Sequence, residues 1–311
     1  MENLIVSQSP HVHSGASTTK IMRDVLIALL PTTIVGVLHF GLRALLIIAV
    51  CVATSVVSEY VFNLVTKRKQ TVGDLSAVVT GLLLGLNLST NVTIWQCVIG
   101  SVFAIIVVKC LFGGLGCNFA NPAITGRVFL LITFSSSVAG GAHPVDLEAG
   151  ATPLAAMRTG VGLDSLPSLF DMMIGKRGGA IGEACIIGLL IGFIYLVARR
   201  VIHFETPLIL IGTVYVITLA ITGDPLVSLY HILSGGLFIA AIFMATDYVT
   251  TPITRVGRMI FALGCGLITV LIRFFGNYFE GVSFAILVMN ILAPYIDKWT
   301  QPRPLGKGGK A

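Results

Sequence analysis

The chain has 311 residues, of which 55% are hydrophobic and 11% charged, with a mean hydropathy of +0.95 and a net charge of +6. So many apolar residues and so few charges cannot cover a soluble surface of this size, which excludes a soluble globular protein and leaves a polytopic membrane protein. The positive balance is what membrane topology alone produces, because Lys and Arg collect in cytoplasmic loops, so it calls for a lipid environment and no nucleic-acid partner.

Residues 1–19 are polar and lack the basic stretch, short apolar core and small-residue cleavage site of a secretory signal, so none is expected to be removed. A helix needs about 20 apolar residues to cross the hydrocarbon. By that measure the apolar runs predict ten spans, at residues 21–40, 42–65, 75–88, 93–112, 123–138, 180–201, 207–221, 229–245, 258–275 and 282–296. The expected fold is all-α, with a first membrane half at 1–138, a long extracytoplasmic loop at 139–179, a second half at 180–297 and a basic cytoplasmic tail at 298–311.

Starting the N-terminus inside and alternating puts fifteen of the 20 basic residues on the cytoplasmic side: Lys20, Arg23, Lys67, Arg68, Lys69, Lys109, Arg127, Arg199, Arg200, Arg255, Arg258, Lys298, Arg303, Lys307 and Lys310. Arg43, Arg158, Lys176, Arg177 and Arg273 fall outside. Both termini are then cytoplasmic and the 139–179 insert is extracytoplasmic.

The halves resemble each other. Phe112-Gly113 closes the fourth span as Phe275-Gly276 closes the ninth, Lys109 and Arg273 lie near those ends, and a short span beginning with Ser76 or Ser234 precedes each. Five spans per repeat makes the halves inverted, and short spans in corresponding positions of inverted halves point to a site near the bilayer interior. Those segments end in Asn87-Leu88-Ser89-Thr90-Asn91 and in Thr246-Asp247-Tyr248-Val249-Thr250-Thr251-Pro252.

An ionisable residue inside a span costs roughly 2.5 to 3.5 kcal/mol to bury, so each is a candidate for an ion path. Asp24, Glu59 and Glu183 lie near span ends, where a carboxylate also snorkels or caps. Asp247, beside Thr246, Thr250 and Thr251, offers hard oxygen donors of the kind that bind Na⁺ or hold a hydrogen-bonded proton. Gly113-Gly114-Leu115-Gly116 with Asn118 and Asn121 would let backbone N–H groups approach a flavin ring or phosphate, and would serve equally as a hinge before a span. Asn121-Pro122-Ala123 matches the half-helix triplet of water channels, but only one copy exists. The six cysteines show no CxxC and read as small core hydrophobes, with Cys117 in the Gly-rich loop set apart.

The insert holds Asp146-Leu147-Glu148-Ala149-Gly150-Ala151-Thr152-Pro153-Leu154. A threonine hydroxyl without an adjacent base is a poor nucleophile, whereas small neighbours and Pro153 suit a loop that enters another enzyme's active site. From chemistry alone an ordinary polar loop is the default. However, the pattern Asp146-x-x-x-Gly150-Ala151-Thr152-Pro153-Leu154-Ala155 resembles the flavinylation motif of the RnfD and NqrB family of membrane proteins. Arg23-Asp24-Val25-Leu26-Ile27-Ala28-Leu29-Leu30-Pro31, Phe112-Gly113-Gly114-Leu115-Gly116-Cys117-Asn118-Phe119-Ala120-Asn121-Pro122-Ala123 and Glu280-Gly281-Val282-Ser283-Phe284-Ala285-Ile286-Leu287-Val288-Met289-Asn290 resemble the same family. Ala149 stands where the family often has Ser.

The resemblance implies FMN esterified through its phosphate to Thr152 by a dedicated flavin transferase, with Asp146, Gly150 and Ala151 completing the motif. A second, non-covalent flavin, riboflavin or FMN, is implied in the membrane. The protein would belong to a bacterial cell-membrane Rnf complex that moves electrons between reduced ferredoxin and NAD and couples them to Na⁺ or H⁺ translocation. It would be part of an oxidoreductase, inactive alone and without catalytic or metal-binding residues of its own; ferredoxin and NAD would bind other subunits, since no ferredoxin or Rossmann motif occurs here. A channel with its pore at the repeat interface is the competing reading.

Overall fold

The computed structural model describes residues 17–138, 141–142, 149–150, 152–158, 166–175, 177–183, 185–276, 278 and 280–301. Among the described residues the elements are helices apart from one short ladder. The first membrane part holds α1 (Thr18–Val65), α2 (Ser76–Leu86), α3 (Ile94–Cys110), α4 (Pro122–Thr133) and α5 (Ser135–Val138). The insert contributes β1 (Gly141–Ala142) paired antiparallel with β2 (Ala149–Gly150), then α6 (Pro153–Arg158) and α7 (Leu169–Ile174). The remainder is α8 (Ile186–Ala198), α9 (Glu205–Thr222), α10 (Pro225–Leu233), α11 (Leu237–Met244), α12 (Arg255–Phe275) and α13 (Val282–Thr300).

Four of these, α1, α9, α12 and α13, are long and apolar enough to cross a membrane, and the bent pair α10 and α11 makes a fifth. The apolar helices α2, α3, α4 and α8 are shorter. Large apolar side chains such as Leu38, Leu42, Val65, Phe275 and Trp299 remain exposed on the outer surface, as they do where the solvent is lipid.

The helix α1 is two helices joined end to end. Gly41 has φ 70 and ψ −162, a backbone that a side chain would strain, and the helix breaks there. A straight helix would hold Ile21 and Glu59 about 57 Å apart at 1.5 Å per residue. Yet Ile21 lines the same cavity as Lys109, whose ammonium reaches Glu59 at 2.8 Å, so the chain reverses at Gly41.

Small residues set the helix contacts, as they do where no hydrophobic effect drives helices together. A Cβ on Gly81 of α2 would stand 2.7 Å from the Cys51 carbonyl, and one on Gly192 of α8 would stand 2.3 Å from the Ala28 carbonyl. The two arms of α1 are thereby pressed on α2 and α8, each running antiparallel to its partner.

Several boundaries differ from the sequence expectation. The span expected at 229–245 is split at Ser234-Gly235-Gly236, where α10 and α11 meet at 66°. The span expected from residue 180 begins at Ile186, because Ile181–Glu183 forms a separate 3₁₀ turn. Charge counting assigns Lys109 and Arg127 to the cytoplasmic side and Arg177 and Arg273 to the outside, but all four are buried inside the protein. Counting gives every cation to its nearer membrane side, whereas internal ion pairs and freed carbonyls hold these four; the direction of the charge asymmetry among the remaining cations is unchanged.

Candidate functional site

Two polar clusters stand at opposite ends of α11. At its C-terminal end, Asp247 accepts from Thr250 Oγ1 at 3.1 Å, from the Val249 N–H at 3.4 Å and from Asn121 Nδ2 at 3.5 Å. Asn121 caps α4, its Oδ1 accepting from the N–H groups of Ala123 and Ile124, and Pro122 occupies the first turn where its missing N–H costs nothing. This local role accounts for the Asn-Pro-Ala triplet without a pore. With the Asn290 amide oriented to satisfy both neighbours, it donates to the Thr250 carbonyl and accepts from the Asn121 N–H, each at 3.1 Å.

Asn118, Asn121, Thr246 and Asp247 line one cavity of about 90 Å³ together with Ser76 and Lys109. Gly113 and Gly114, with φ of +122 and +97, form the turn leading to it but do not line it. Tyr248 and Val201 line both this cavity and a neighbouring one of about 170 Å³ that includes His203 and Arg258, and the Tyr248 hydroxyl donates to the Val201 carbonyl between them.

Glu59 and Asp24 stand apart from Asp247 in kind. Glu59 pairs with Lys109 at 2.8 Å and accepts from Thr71 Oγ1 at 2.6 Å, while Lys109 also donates to Ser76 Oγ at 2.6 Å. Both ions are sealed at 2% exposure, so the pair ties the second arm of α1 to α2 and α3. Asp24 meets Tyr195 at 3.0 Å and the half-exposed Arg199 at 3.4 Å, the interfacial arrangement its position near a span end suggests.

At the other end of α11, a buried cluster surrounds the break between α10 and α11. Arg127 on α4 pairs with Glu280, stands 3.8 Å from Glu183, and donates to Asn87 at 3.0 Å and Ser283 at 3.2 Å. The carbonyls that α10 frees at its C-terminus are taken by two more arginines. Arg273 donates to the His231 carbonyl at 2.5 Å and the Ser234 carbonyl at 3.2 Å, and Arg177 donates to the Leu233 carbonyl and to the Glu183 carbonyl. Cations at the C-terminal end of a half-helix complement its dipole.

Thr152 lies over this elbow. Its hydroxyl accepts from the Ala155 N–H at 3.3 Å and its carbonyl from the Ala156 N–H at 2.9 Å, so it caps the short α6. Two residues on, Leu154 packs against the break: its Cδ1 and Arg273 Nη2 both lie within 3.4 Å of the point where a Cβ on Gly235 would stand. Thr152 is only 7% exposed. Gly150 pairs with Gly141 in the two-strand ladder, while Asp146 and Ala151 lie outside the described residues.

A profile of the NQR2, RnfD, RnfE family matches residues 5–306. The chain belongs to this family. Among the NQR2, RnfD, RnfE relatives, the D subunit of the Na⁺-translocating ferredoxin:NAD⁺ oxidoreductase complex of Acetobacterium woodii is 46% identical over 98% of this chain and 96% of its own. The D subunit of the proton-translocating ferredoxin:NAD⁺ oxidoreductase complex of Clostridium ljungdahlii is 40% identical over 97% and 96%. The D subunit of the ion-translocating oxidoreductase complex of Stutzerimonas stutzeri is 37% identical over 95% and 94%.

The structure brings Asn118, Asn121 and Asp247 to one cavity and sets Glu183 with Arg127, on the Thr152 side. Sequence reasoning passes over Arg127, Arg177, Arg273 and Glu280 as members of the elbow cluster around Glu183. A signal exists for two of them, since Arg127 and Arg273 fall inside apolar runs, where a guanidinium requires a partner.

Proposed function

We propose that the chain is the D subunit of a bacterial, membrane-bound, ion-translocating ferredoxin:NAD oxidoreductase complex and carries FMN covalently on Thr152. The observation that carries the subunit and complex is the match to relatives bearing that name, 46% identical over 98% of this chain, while FMN on Thr152 rests on the motif resemblance. The complex as a whole is the oxidoreductase; ferredoxin and NAD engage its other subunits. The two relatives differ in the ion their names carry, so the coupling ion, Na⁺ or H⁺, is left open.

The isoalloxazine supplies the redox chemistry and the protein supplies position and electrostatics. Fit is supported by buried polar atoms that have no partner beside the Thr152 helix: His231 Nδ1, Ser234 Oγ and Arg273 Nε. Native proteins rarely leave such atoms unmatched, and a bound polar group answers them. The burial of Thr152 means that the transferase acts before the loop settles on the elbow, or draws it off. Asp146, Gly150 and Ala151 are the remaining motif positions the transferase would read.

Ten spans in two inverted halves, with cytoplasmic termini and an extracytoplasmic Thr152 loop, complete the reading. It is supported by a buried cation in each half at the Ser of a short or broken span, Lys109 donating to the Ser76 hydroxyl and Arg273 to the Ser234 carbonyl. A second, non-covalent flavin, riboflavin or FMN, belongs near the loop of Gly113, Gly114, Asn118 and Asn121, and the presence of both asparagines at the cavity wall supports it.

The test is direct. The chain co-expressed with its flavin transferase is denatured, run on a gel and viewed under ultraviolet light. A yellow-green fluorescent band that disappears in Thr152→Ala is the expected result; no band, or one that survives Thr152→Ala, sinks the assignment.

A further inference from the structure

We propose that the elbow between α10 and α11 is a buried cationic seat for the Thr152-linked flavin, and that its charged side chains act on the negative charge the ring acquires on reduction. The proposal rests on the covalent FMN reading above and assigns to Arg273 and Glu280 opposite effects on that flavin's potential.

The first ground is charge balance. Among the described residues, the elbow gathers three cations and two anions: Arg127 pairs with Glu280 and stands 3.8 Å from Glu183, Arg177 holds the Glu183 carbonyl, and Arg273 Nη2 and Glu280 meet beside Gly235. All but Glu280 are buried, and Glu280 is 20% exposed in its side chain. A buried cluster with an excess of positive charge is costly unless anions join it; the phosphodiester linking FMN to Thr152 would bring a permanent one, and the ring would add its own on reduction.

The second ground is hydrogen bonding. Arg177 Nε, Glu183 Oε1, His231 Nδ1, Ser234 Oγ and Arg273 Nε are all buried without a hydrogen-bond partner, and all belong to this one elbow. Two are guanidinium donors, one is a hydroxyl that donates or accepts, one is a ring nitrogen whose role follows its tautomer, and one is a carboxylate acceptor. That mixture suits a heterocycle edge carrying carbonyl oxygens, ring nitrogens and an N–H.

The third ground is access. At Gly235, φ is +71, and the space a side chain would fill is shared by Leu154, Arg273 and Glu280. The backbone break therefore lets the helix that Thr152 caps lie against the charged groups, with only a phosphate and a ribityl arm needed to carry a ring from the threonine oxygen.

The electron balance is simple. An oxidised isoalloxazine is neutral; it takes two electrons and one proton to give a reduced ring with a single negative charge. Fixed positive charge beside the ring favours the reduced form and raises the potential, and fixed negative charge lowers it. Arg273 thus raises the potential and Glu280 opposes it.

The experiment uses the full chain, co-expressed with its transferase and purified in detergent, in a spectroelectrochemical redox titration. A parallel titration of Thr152→Ala is subtracted to remove any non-covalent flavin. Arg273→Gln is expected to shift the midpoint of the covalent flavin to more negative values, Glu280→Gln to more positive ones, and Arg273→Lys to stay close to the parent. If Arg273→Gln fails to fold, the sign of the Glu280→Gln shift decides. Equal midpoints, or shifts of the same sign, with full fluorescence of the Thr152 band would overturn the seat while leaving covalent FMN intact. Absence of the band in the parent chain would overturn both.

Discussion

Glu59 and Asp247, two carboxylates on the Asn121 side of α11, make different demands on their surroundings. Glu59 and Lys109 are each 2% exposed and pair at 2.8 Å, so neither is free to exchange a mobile ion without leaving the other unpaired. Removing one member of a buried pair costs about 3 to 5 kcal/mol, whereas replacing both with apolar groups of similar size is close to neutral. Lys109→Met alone should therefore lower the thermal stability of the detergent-solubilised chain sharply, and Lys109→Met with Glu59→Leu should recover most of the loss; equal losses would mean the pair is not an isolated unit. Asp247 has only neutral hydrogen-bond partners, in Thr250, Asn121 and the Val249 N–H, and it faces a cavity. An oxygen cluster of this kind can take up a cation and let it go. In the assembled complex, Asp247→Asn should keep the fluorescent Thr152 band while raising the ion concentration for half-maximal coupled uptake by about tenfold, the equivalent of 1.4 kcal/mol. Unchanged uptake at low ion concentration would remove Asp247 from the path.

At the scale of the helices, glycine decides which surfaces meet. Gly192 admits the Ala28 carbonyl to 2.3 Å from its missing Cβ, while Gly212 on α9 has nothing within 4 Å of the same point. Gly192→Ala must push α8 away from α1 and should cost on the order of 2 kcal/mol or more, as overpacking does. Gly212→Ala should be neutral or stabilising by up to about 1 kcal/mol, because the helix gains propensity at no steric cost. Melting curves of the two variants side by side check the contrast, and a similar loss in both would refute it. The Gly41 turn between two apolar runs and the unusually short α2 are legible in the sequence, because apolar run length reports helix existence well. The split of α10 from α11 is not, since the apolar run continues through Ser234-Gly235-Gly236 and only the freed carbonyls, with Arg177 and Arg273 capping them, show where the helix ends. The pairing of Arg127 with Glu280 is likewise hidden, because it joins residues 153 positions apart and no periodicity reports such a distance.

For the whole molecule, the proposed path runs from an inner cavity at Asp247 to an outer elbow at Thr152, with α11 and α4 between them. On α4, Asn121 belongs to one cluster and Arg127 to the other, a separation of about 9 Å along the axis at 1.5 Å per residue. The two sites are therefore close enough to share α4 while lying at opposite ends of α11. The chain supplies its own reporter for one end: Cys117 is exposed, and Cys51, Cys97, Cys110, Cys185 and Cys265 are buried. Cys117 lies in the loop between α3 and α4, on the Asp247 side, and Arg158 ends the helix that Thr152 caps. A membrane-impermeant maleimide should label Cys117 in inside-out vesicles and not in right-side-out ones. With Cys117→Ser in place, Arg158→Cys should show the reverse. Labelling of both positions from one face would place Thr152 and Asp247 on the same side, and an electron path that crosses the membrane between them would be untenable. Opposite labelling would fix the geometry that ion coupling needs, in which charge entering at the Asp247 cavity and charge arriving at the Thr152 elbow come from opposite faces of the membrane.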